Sequence, residues 1–200
     1  MTQRFVAAAL LAALSAPAFA QPQPGASAAA PAPQADLVPV AIETGMGRIV
    51  IAVDRARAPV TAANFLRYVD QRRFDGESFY RAMKSAGGGL IQGGVRSDTR
   101  KLFPPIAHEP TSKTGIKHVA GTVAMANLGP GTARADFFIL TSDAPSFNDT
   151  FAAFGKVVEG MDVAKSILAS PVSATKGEGI MRGQMLDPVV KITKASRLAN

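Results

Sequence analysis

Between Val38 and Val53 the large apolar side chains fall at every second position. Val38, Val40 and Ile42 alternate with Pro39, Ala41 and Glu43, and Ile49, Ile51 and Val53 alternate with Arg48, Val50 and Ala52. Period-2 alternation marks half-buried strands, and Gly45-Met46-Gly47 between the runs predicts a hairpin. Pro39 belongs at the start of a strand or on an outer one, because it brings no N–H to a ladder. From Pro59 the period lengthens. Ala62, Phe65, Leu66 and Val69 fall at i, i+3, i+4 and i+7, with Thr61, Asn64, Arg67 and Asp70 on the other side. This predicts an amphipathic helix with Pro59 in its first turn, its apolar stripe laid over a sheet.

Further strand-like runs follow at Phe79–Met83, Leu90–Gln92, Thr122–Ala126, Asp136–Thr141, Phe154–Val158 and Val189–Thr193. A second helix is predicted over Asp162–Ala169, where Val163 and Ile167, and Ala164 and Leu168, form i, i+4 pairs. About eight strands and two helices without βαβ alternation indicate a mainly β domain: an antiparallel sheet or barrel with helical covers.

The chain's ends and composition narrow the picture. Arg4 precedes an apolar run from Phe5 to Leu14, and Ala18-Phe19-Ala20 closes the segment. A charged start, a short apolar core and a small-x-small site predict a signal peptide over residues 1–20, cleaved after Ala20. The apolar run is half the ~20 residues a spanning helix needs. Residues 21–36, QPQPGASAAAPAPQAD, lack large apolar side chains and predict an extended tether. The folded domain is expected over residues 37–200. The absence of cysteine excludes disulfides, a cysteine nucleophile and thiolate-bound metal. The net charge of +7 is spread along the chain without interleaved aromatics, which argues for a solvated basic surface rather than a nucleic-acid groove.

Familiar catalytic motifs are missing. There is no Gly-x-Ser-x-Gly elbow and no phosphate-binding Gly-Lys-Ser/Thr turn. His108 and His118 stand ten positions apart without metal-ligand spacing, and no metal or cofactor is expected. The stretch Gly87-Gly88-Gly89-Leu90-Ile91-Gln92-Gly93-Gly94 predicts a flexible loop and turn around a short strand.

One ordered series of segments remains: Phe79-Tyr80-Arg81, then Leu90-Ile91-Gln92-Gly93-Gly94, then Gly121-Thr122-Val123-Ala124-Met125-Ala126-Asn127, Phe137-Phe138-Ile139, and Phe154-Gly155-Lys156-Val157-Val158. In this order and spacing the chain resembles the cyclophilin family of peptidyl-prolyl cis–trans isomerases, from about Val38 to Ala195. The resemblance implies a closed eight-stranded antiparallel β-barrel capped by two helices. It also implies a substrate class, proline-containing polypeptides, handled by a monomer. Arg81 matches the family's catalytic arginine and Gln92 its glutamine before the paired glycines. Ala126 and Asn127 match residues that line the site and bond the substrate backbone. Phe138 matches the aromatic floor of the proline pocket, Leu90 an apolar wall, and Phe147 and Phe151 further pocket positions.

Three departures stand out. Ten residues separate Arg81 from Gln92 where the family has seven, the excess falling in Lys84–Gly89, and Gly89 aligns with a pocket phenylalanine. Asp136 replaces the family's second site glutamine, and Ser146 stands where some members carry a tryptophan. If Asp136 lies near Arg81, it either orients the guanidinium or occupies the donor that should serve the prolyl nitrogen. The first outcome fits an exported isomerase acting in the periplasm or outside the cell. The second fits a non-catalytic chaperone or peptide-binding module.

Overall fold

The computed structural model describes residues Asp36–Ala199, so the predicted signal segment (1–20) and all but the last residue of the predicted tether (21–36) lie outside the described residues. The predicted hairpin is present as β1 (Leu37–Thr44) and β2 (Gly47–Asp54), paired from Leu37↔Asp54 to Thr44↔Gly47. Val40, Ile42, Ile49, Ile51 and Val53 are buried, as the alternation requires, and Ala41, Val50 and Asp54 on the opposite face are buried too. Helix α1 (Pro59–Asp70) follows, then β3 (Ser78–Ser85), β4 (Gly88–Gly94), α2 (Thr111–Thr114), β5 (Thr122–Met125) and β6 (Phe137–Leu140). The chain ends with β7 (Ala152–Glu159), α3 (Met161–Ala169), β8 (Val172–Ser173) and β9 (Met185–Arg197).

The strands neighbour one another in the order β1-β2-β7-β5-β6-β4-β3-β9, and β9 returns to pair with β1. Eight antiparallel strands thus close a barrel, with two-residue β8 paired onto β9 outside the ring. Pro39 is the third residue of β1 and precedes the first β1–β9 partner, Val40, so its missing N–H costs the ladder nothing.

The barrel interior is aromatic. Phe65 of α1 packs on Phe74, Phe137 and Phe154, and Phe137 also meets Phe74 and Phe79, with ring centroids 4.9–5.8 Å apart. Tilted and edge-on rings at this spacing are the favoured aromatic geometry. The expected polar side of α1 is partly a correction: Thr61 and Asn64 are buried. The carboxylate of Glu109 accepts from the backbone of Val60 and Thr61 (3.1 and 2.7 Å) and from the Thr61 hydroxyl (2.6 Å). Asn64 donates to the Arg134 carbonyl at 2.7 Å. An acid 49 positions away therefore caps a helix whose own N-cap, Ala58, offers no side chain to do so.

Two further differences concern glycine and length. Strand β4 takes in the predicted short strand Leu90–Gln92 together with the flanking Gly88-Gly89 and Gly93-Gly94, where the sequence suggests flexible loop, and it joins β3 by the two-residue turn Ala86-Gly87 with Ser85 opposite Gly88. The additional residues after Arg81 lengthen this hairpin instead of forming a loop over Lys84–Gly89. Lys84 anchors the longer hairpin by donating to the carbonyls of Ala169 and Ser170 at the end of α3 (3.2 and 2.9 Å). Strand β9 extends well past the predicted Val189–Thr193 on both sides. The third helix, α2, is a single turn closed by Gly115 in the left-handed region.

Candidate functional site

A single row of cross-strand partners carries the predicted site. Met185 of β9 lies opposite Arg81 of β3, Arg81 opposite Gln92 of β4, Gln92 opposite Phe138 of β6, and Phe138 opposite Ala124 of β5. Directly opposed residues share a face of the sheet. Arg81, Gln92 and Phe138 therefore stand side by side on the outer face, while their neighbours Phe79, Ile91 and Phe137 turn into the barrel. Two consecutive phenylalanines in β6 thus serve different purposes: Phe137 packs under α1, and Phe138 faces outward.

A bulge sharpens this arrangement. Phe79 pairs with Gly93 and Arg81 with Gln92, so Tyr80 is an extra residue in β3. An extra residue re-aims the side chains around it. Tyr80 and Arg81 consequently both reach Gln92, which an unbroken strand would forbid. Arg81 Nη1 donates to Gln92 Oε1 at 2.8 Å, and Gln92 Nε2 donates to the Tyr80 hydroxyl oxygen at 2.6 Å. The Tyr80 hydroxyl donates in turn to Asp136 Oδ1 at 2.8 Å. Gly94 permits this approach, since a Cβ there would stand 2.5 Å from Asp136 Oδ1. Arg81 Nε donates to Gln184 Oε1 at 2.8 Å, and Nη2 faces the sulfur of Met83 at 3.8 Å.

Asp136 is thus engaged by Tyr80 in neither of the two ways expected beside Arg81. Burial pushes its carboxyl above the usual aspartate range, with Glu77 adding to the effect and Tyr80 and Arg96 opposing it. Burial and the neighbouring Asp136 charge push the Tyr80 hydroxyl well up, so it stays protonated. Partial burial lowers the Arg81 value, and the guanidinium remains charged.

Phe138, Phe147 and Phe151 form a three-ring cluster, with centroids 5.8, 5.2 and 5.0 Å apart in the pairs 138–147, 138–151 and 147–151. Phe138 is 2% exposed, whereas Phe147 and Phe151 are half-buried. His118 backs the cluster, 6.2 Å from both Phe138 and Phe147. Asn148 Oδ1 accepts from the His118 backbone N–H and meets ring Nδ1 at 3.2 Å, which places the ring proton on Nδ1. Burial keeps this histidine below its ordinary value, so it is a neutral support for the rings. It is a residue the sequence reading left without a role.

The remaining predicted positions flank the row. Leu90 is two residues before Gln92 on the same face and opposes Met83. Ala126 follows β5 and its N–H donates to the Asp136 carbonyl at 2.9 Å. The Asn127 side chain is committed to the protein, donating to the Thr150 carbonyl (2.9 Å) and accepting from Gly129 N–H (3.0 Å). At Gly89 a Cβ would stand 1.9 Å from the Met83 carbonyl oxygen, so no side chain fits where the family carries phenylalanine. Met83, two positions after Arg81, provides the apolar contact beside the guanidinium instead. Met83, Tyr80 and Gln184 join the site without having been predicted. Alternation along β3 was the signal for Met83. None pointed to Tyr80, displaced by a bulge, or to Gln184, 103 positions from Arg81.

At the β9 end of this row a cleft of about 770 Å³ opens beside Tyr80 and Met185, lined by Arg96, Lys176, Met181 and Pro188 among others. A smaller one of about 380 Å³ lies near Leu37, Arg57 and Ile116. Arg81 lines neither.

Residues 39–196 match the family model described as cyclophilin type peptidyl-prolyl cis-trans isomerase/CLD. The chain is 34% identical over 150 residues to the peptidyl-prolyl cis-trans isomerase cyp18 of Streptomyces antibioticus, covering 69% of this chain and 87% of that protein. It is 34% identical over 137 residues to peptidyl-prolyl cis-trans isomerase A of Dickeya dadantii, covering 64% of this chain and 70% of that protein. A Cryptosporidium parvum cyclophilin type isomerase shares the fold at a TM-score of 0.65 and 21% identity, over 82% of this chain and 99% of that one. A second structure of that isomerase, determined in the presence of the dipeptide Ala-Pro, superposes at a TM-score of 0.64 and 22% identity. With its closed eight-stranded barrel and a family match over residues 39–196, the chain belongs to the cyclophilin-type peptidyl-prolyl cis–trans isomerases.

Proposed function

We propose that this isomerase is exported, loses residues 1–20, and acts as an unanchored monomer that speeds folding of other exported polypeptides, with Arg81 as the group that binds the twisted prolyl amide. The observation that carries the Arg81 role is its guanidinium, held by the oxygens of Gln92 and Gln184 in the same cross-strand row as Phe138. Nε and one Nη1 hydrogen are committed to those oxygens, and Nη2 is left with only a sulfur contact. The donors left without an oxygen partner are therefore Nη2 and the second hydrogen of Nη1.

The chemistry follows from the amide. Rotation about an ordinary peptide bond meets a barrier of ~18–20 kcal/mol because the nitrogen lone pair is shared with the carbonyl. At the twisted transition state that sharing is lost and the prolyl nitrogen can accept a hydrogen bond. A fixed guanidinium then binds the twisted amide better than either planar form, which is what lowers the barrier. The ring cluster of Phe138, Phe147 and Phe151 is suited to hold the proline ring while the preceding carbonyl turns. No nucleophile or proton transfer enters this scheme.

Exchange NMR on a short X-Pro peptide tests it. Wild type is expected to produce cis–trans exchange cross-peaks far faster than the uncatalysed ~10–100 s. Arg81→Ala is expected to lose about 10²–10³ of the rate, the worth of one oriented donor in a transition state. Equal exchange in the two proteins would refute the role of Arg81. Export is tested by mass spectrometry of the protein from the cell envelope, which should begin at Gln21.

A further inference from the structure

The relay from Arg81 to Asp136 has a direction that its two ends impose. Arg81 can only donate, and an ionised carboxylate can only accept. Asp136 therefore requires Tyr80 to donate to it, leaving the Tyr80 oxygen to accept from Gln92. Gln92 must present its amide nitrogen to Tyr80, and its carbonyl oxygen then faces Arg81. A glutamine amide has no intrinsic preference between its two orientations, so the donor-only guanidinium on one side and the carboxylate two hydrogen bonds away on the other together select the productive one. Reversing the last link would turn the Gln92 N–H₂ toward a guanidinium that can only donate.

We propose that Asp136 and Tyr80 are positioning residues for Arg81: ionised Asp136 fixes the amide orientation of Gln92 through Tyr80, and protonating it releases that hold. The proposal rests on the reading of Arg81 as the group that meets the prolyl amide. The charged and titratable groups facing Asp136 are Tyr80 of β3, Glu77 just before it, Arg96 just after β4 and Tyr68 of α1. Arg96 also lies over the Tyr80 ring, its guanidinium carbon 4.5 Å from the ring centre. Glu77 is held below the ordinary glutamate value despite its burial, whereas burial raises Asp136. Burial thus favours the protonated form of Asp136, while the donors around Glu77 favour its ionised form.

The Gln92 side-chain amide reports the relay directly. In ¹H–¹⁵N spectra recorded from about pH 7 down to about pH 4, the Gln92 N–H₂ resonances are expected to shift through one transition in wild type. That transition is expected to vanish in Asp136→Asn, which keeps the shape but has no proton to gain. In exchange NMR, wild-type kcat/KM is expected to fall in acid, and Tyr80→Phe, which keeps the ring but cuts the relay, is expected to lower kcat/KM about tenfold and to abolish that fall. A Gln92 transition that persists in Asp136→Asn overturns the proposal, as does a wild-type pH profile in Tyr80→Phe. If Arg81→Ala left exchange unaffected, the role of Arg81 would fall while the Gln92 resonances still tested the relay.

Discussion

The Nε–H of Arg81 donates to Oε1 of Gln184 at 2.8 Å, joining residues 103 positions apart. Gln184 in turn donates from Nε2 to the Ile180 carbonyl at 2.8 Å, so its amide is fixed at both ends. The guanidinium is therefore gripped from two sides, by β4 through Gln92 and by the approach to β9 through Gln184. Gln184→Ala is expected to let the group swing and to lower kcat/KM roughly tenfold, with the melting temperature falling by only a few degrees as one hydrogen bond to a charge is lost. A melting-temperature fall with intact kcat/KM would assign Gln184 a structural role instead.

The tightness of the long β3–β4 hairpin is tested at its glycines. Gly89 has φ +146°, and an added Cβ would meet the Met83 carbonyl oxygen at 1.9 Å, whereas Gly87 has φ +81° and open space around it. Gly89→Ala is expected to destabilise by more than about 2 kcal/mol in urea unfolding, combining overpacking with backbone strain. Gly87→Ala, strained but unhindered, should cost about 1 kcal/mol. Equal midpoints would contradict this register.

The three-ring cluster makes a prediction of a different kind. Phe151 is half-buried and touches Phe138 and Phe147, so its removal takes away apolar contact with a proline ring without disturbing Arg81. Phe151→Ala is expected to raise KM roughly tenfold, about 1.4 kcal/mol of contact, with kcat within about twofold. Concentration-dependent exchange NMR separates the two. A fall in kcat alone would contradict a holding role.

Glu77 leads to a prediction about stability in acid. It is 3% exposed and accepts from Ser97 Oγ, from Lys101 Nζ at 2.9 Å and from the backbone N–H of Arg96 and Ser97. Burial alone would raise its value, but these donors together bring it below that of ordinary glutamate. The stabilisation is complete above the unfolded-state value and is lost as pH falls through the lower folded-state value. Glu77→Gln is expected to cost roughly 1–3 kcal/mol at neutral pH and to flatten the acid limb of the stability curve. Parallel acid limbs in the two proteins would reject this.

How much of this was legible beforehand depended on the range of the interaction involved. Alternation marked Val40, Ile42, Ile49 and Ile51, and the helical stripe of α1 marked Phe65 and Val69, because both patterns repeat within a few residues. The row Arg81–Gln92–Phe138 was reached through resemblance and is physically a matter of register. Register between strands far apart in sequence leaves no local trace. The bulge at Tyr80 shifts which side chains share a face, so Asp136 meets Tyr80 rather than Arg81. Glycine was misread in the same way. At Gly88–Gly94 it makes room for Met83 and Asp136 against a strand, where composition alone suggests looseness.

The pairing of β9 with β1 has a consequence for a protein proposed to handle unfolded chains. Extended polypeptide readily copies any strand whose backbone groups are unpaired, and such copying seeds aggregates. Here Val40 through Ile42 of β1 are matched by Arg197 through Ala195, so the ring presents no open seam along that join. A client laid across Arg81 and Phe138 meets side chains rather than a template. It can be turned and let go without becoming another strand.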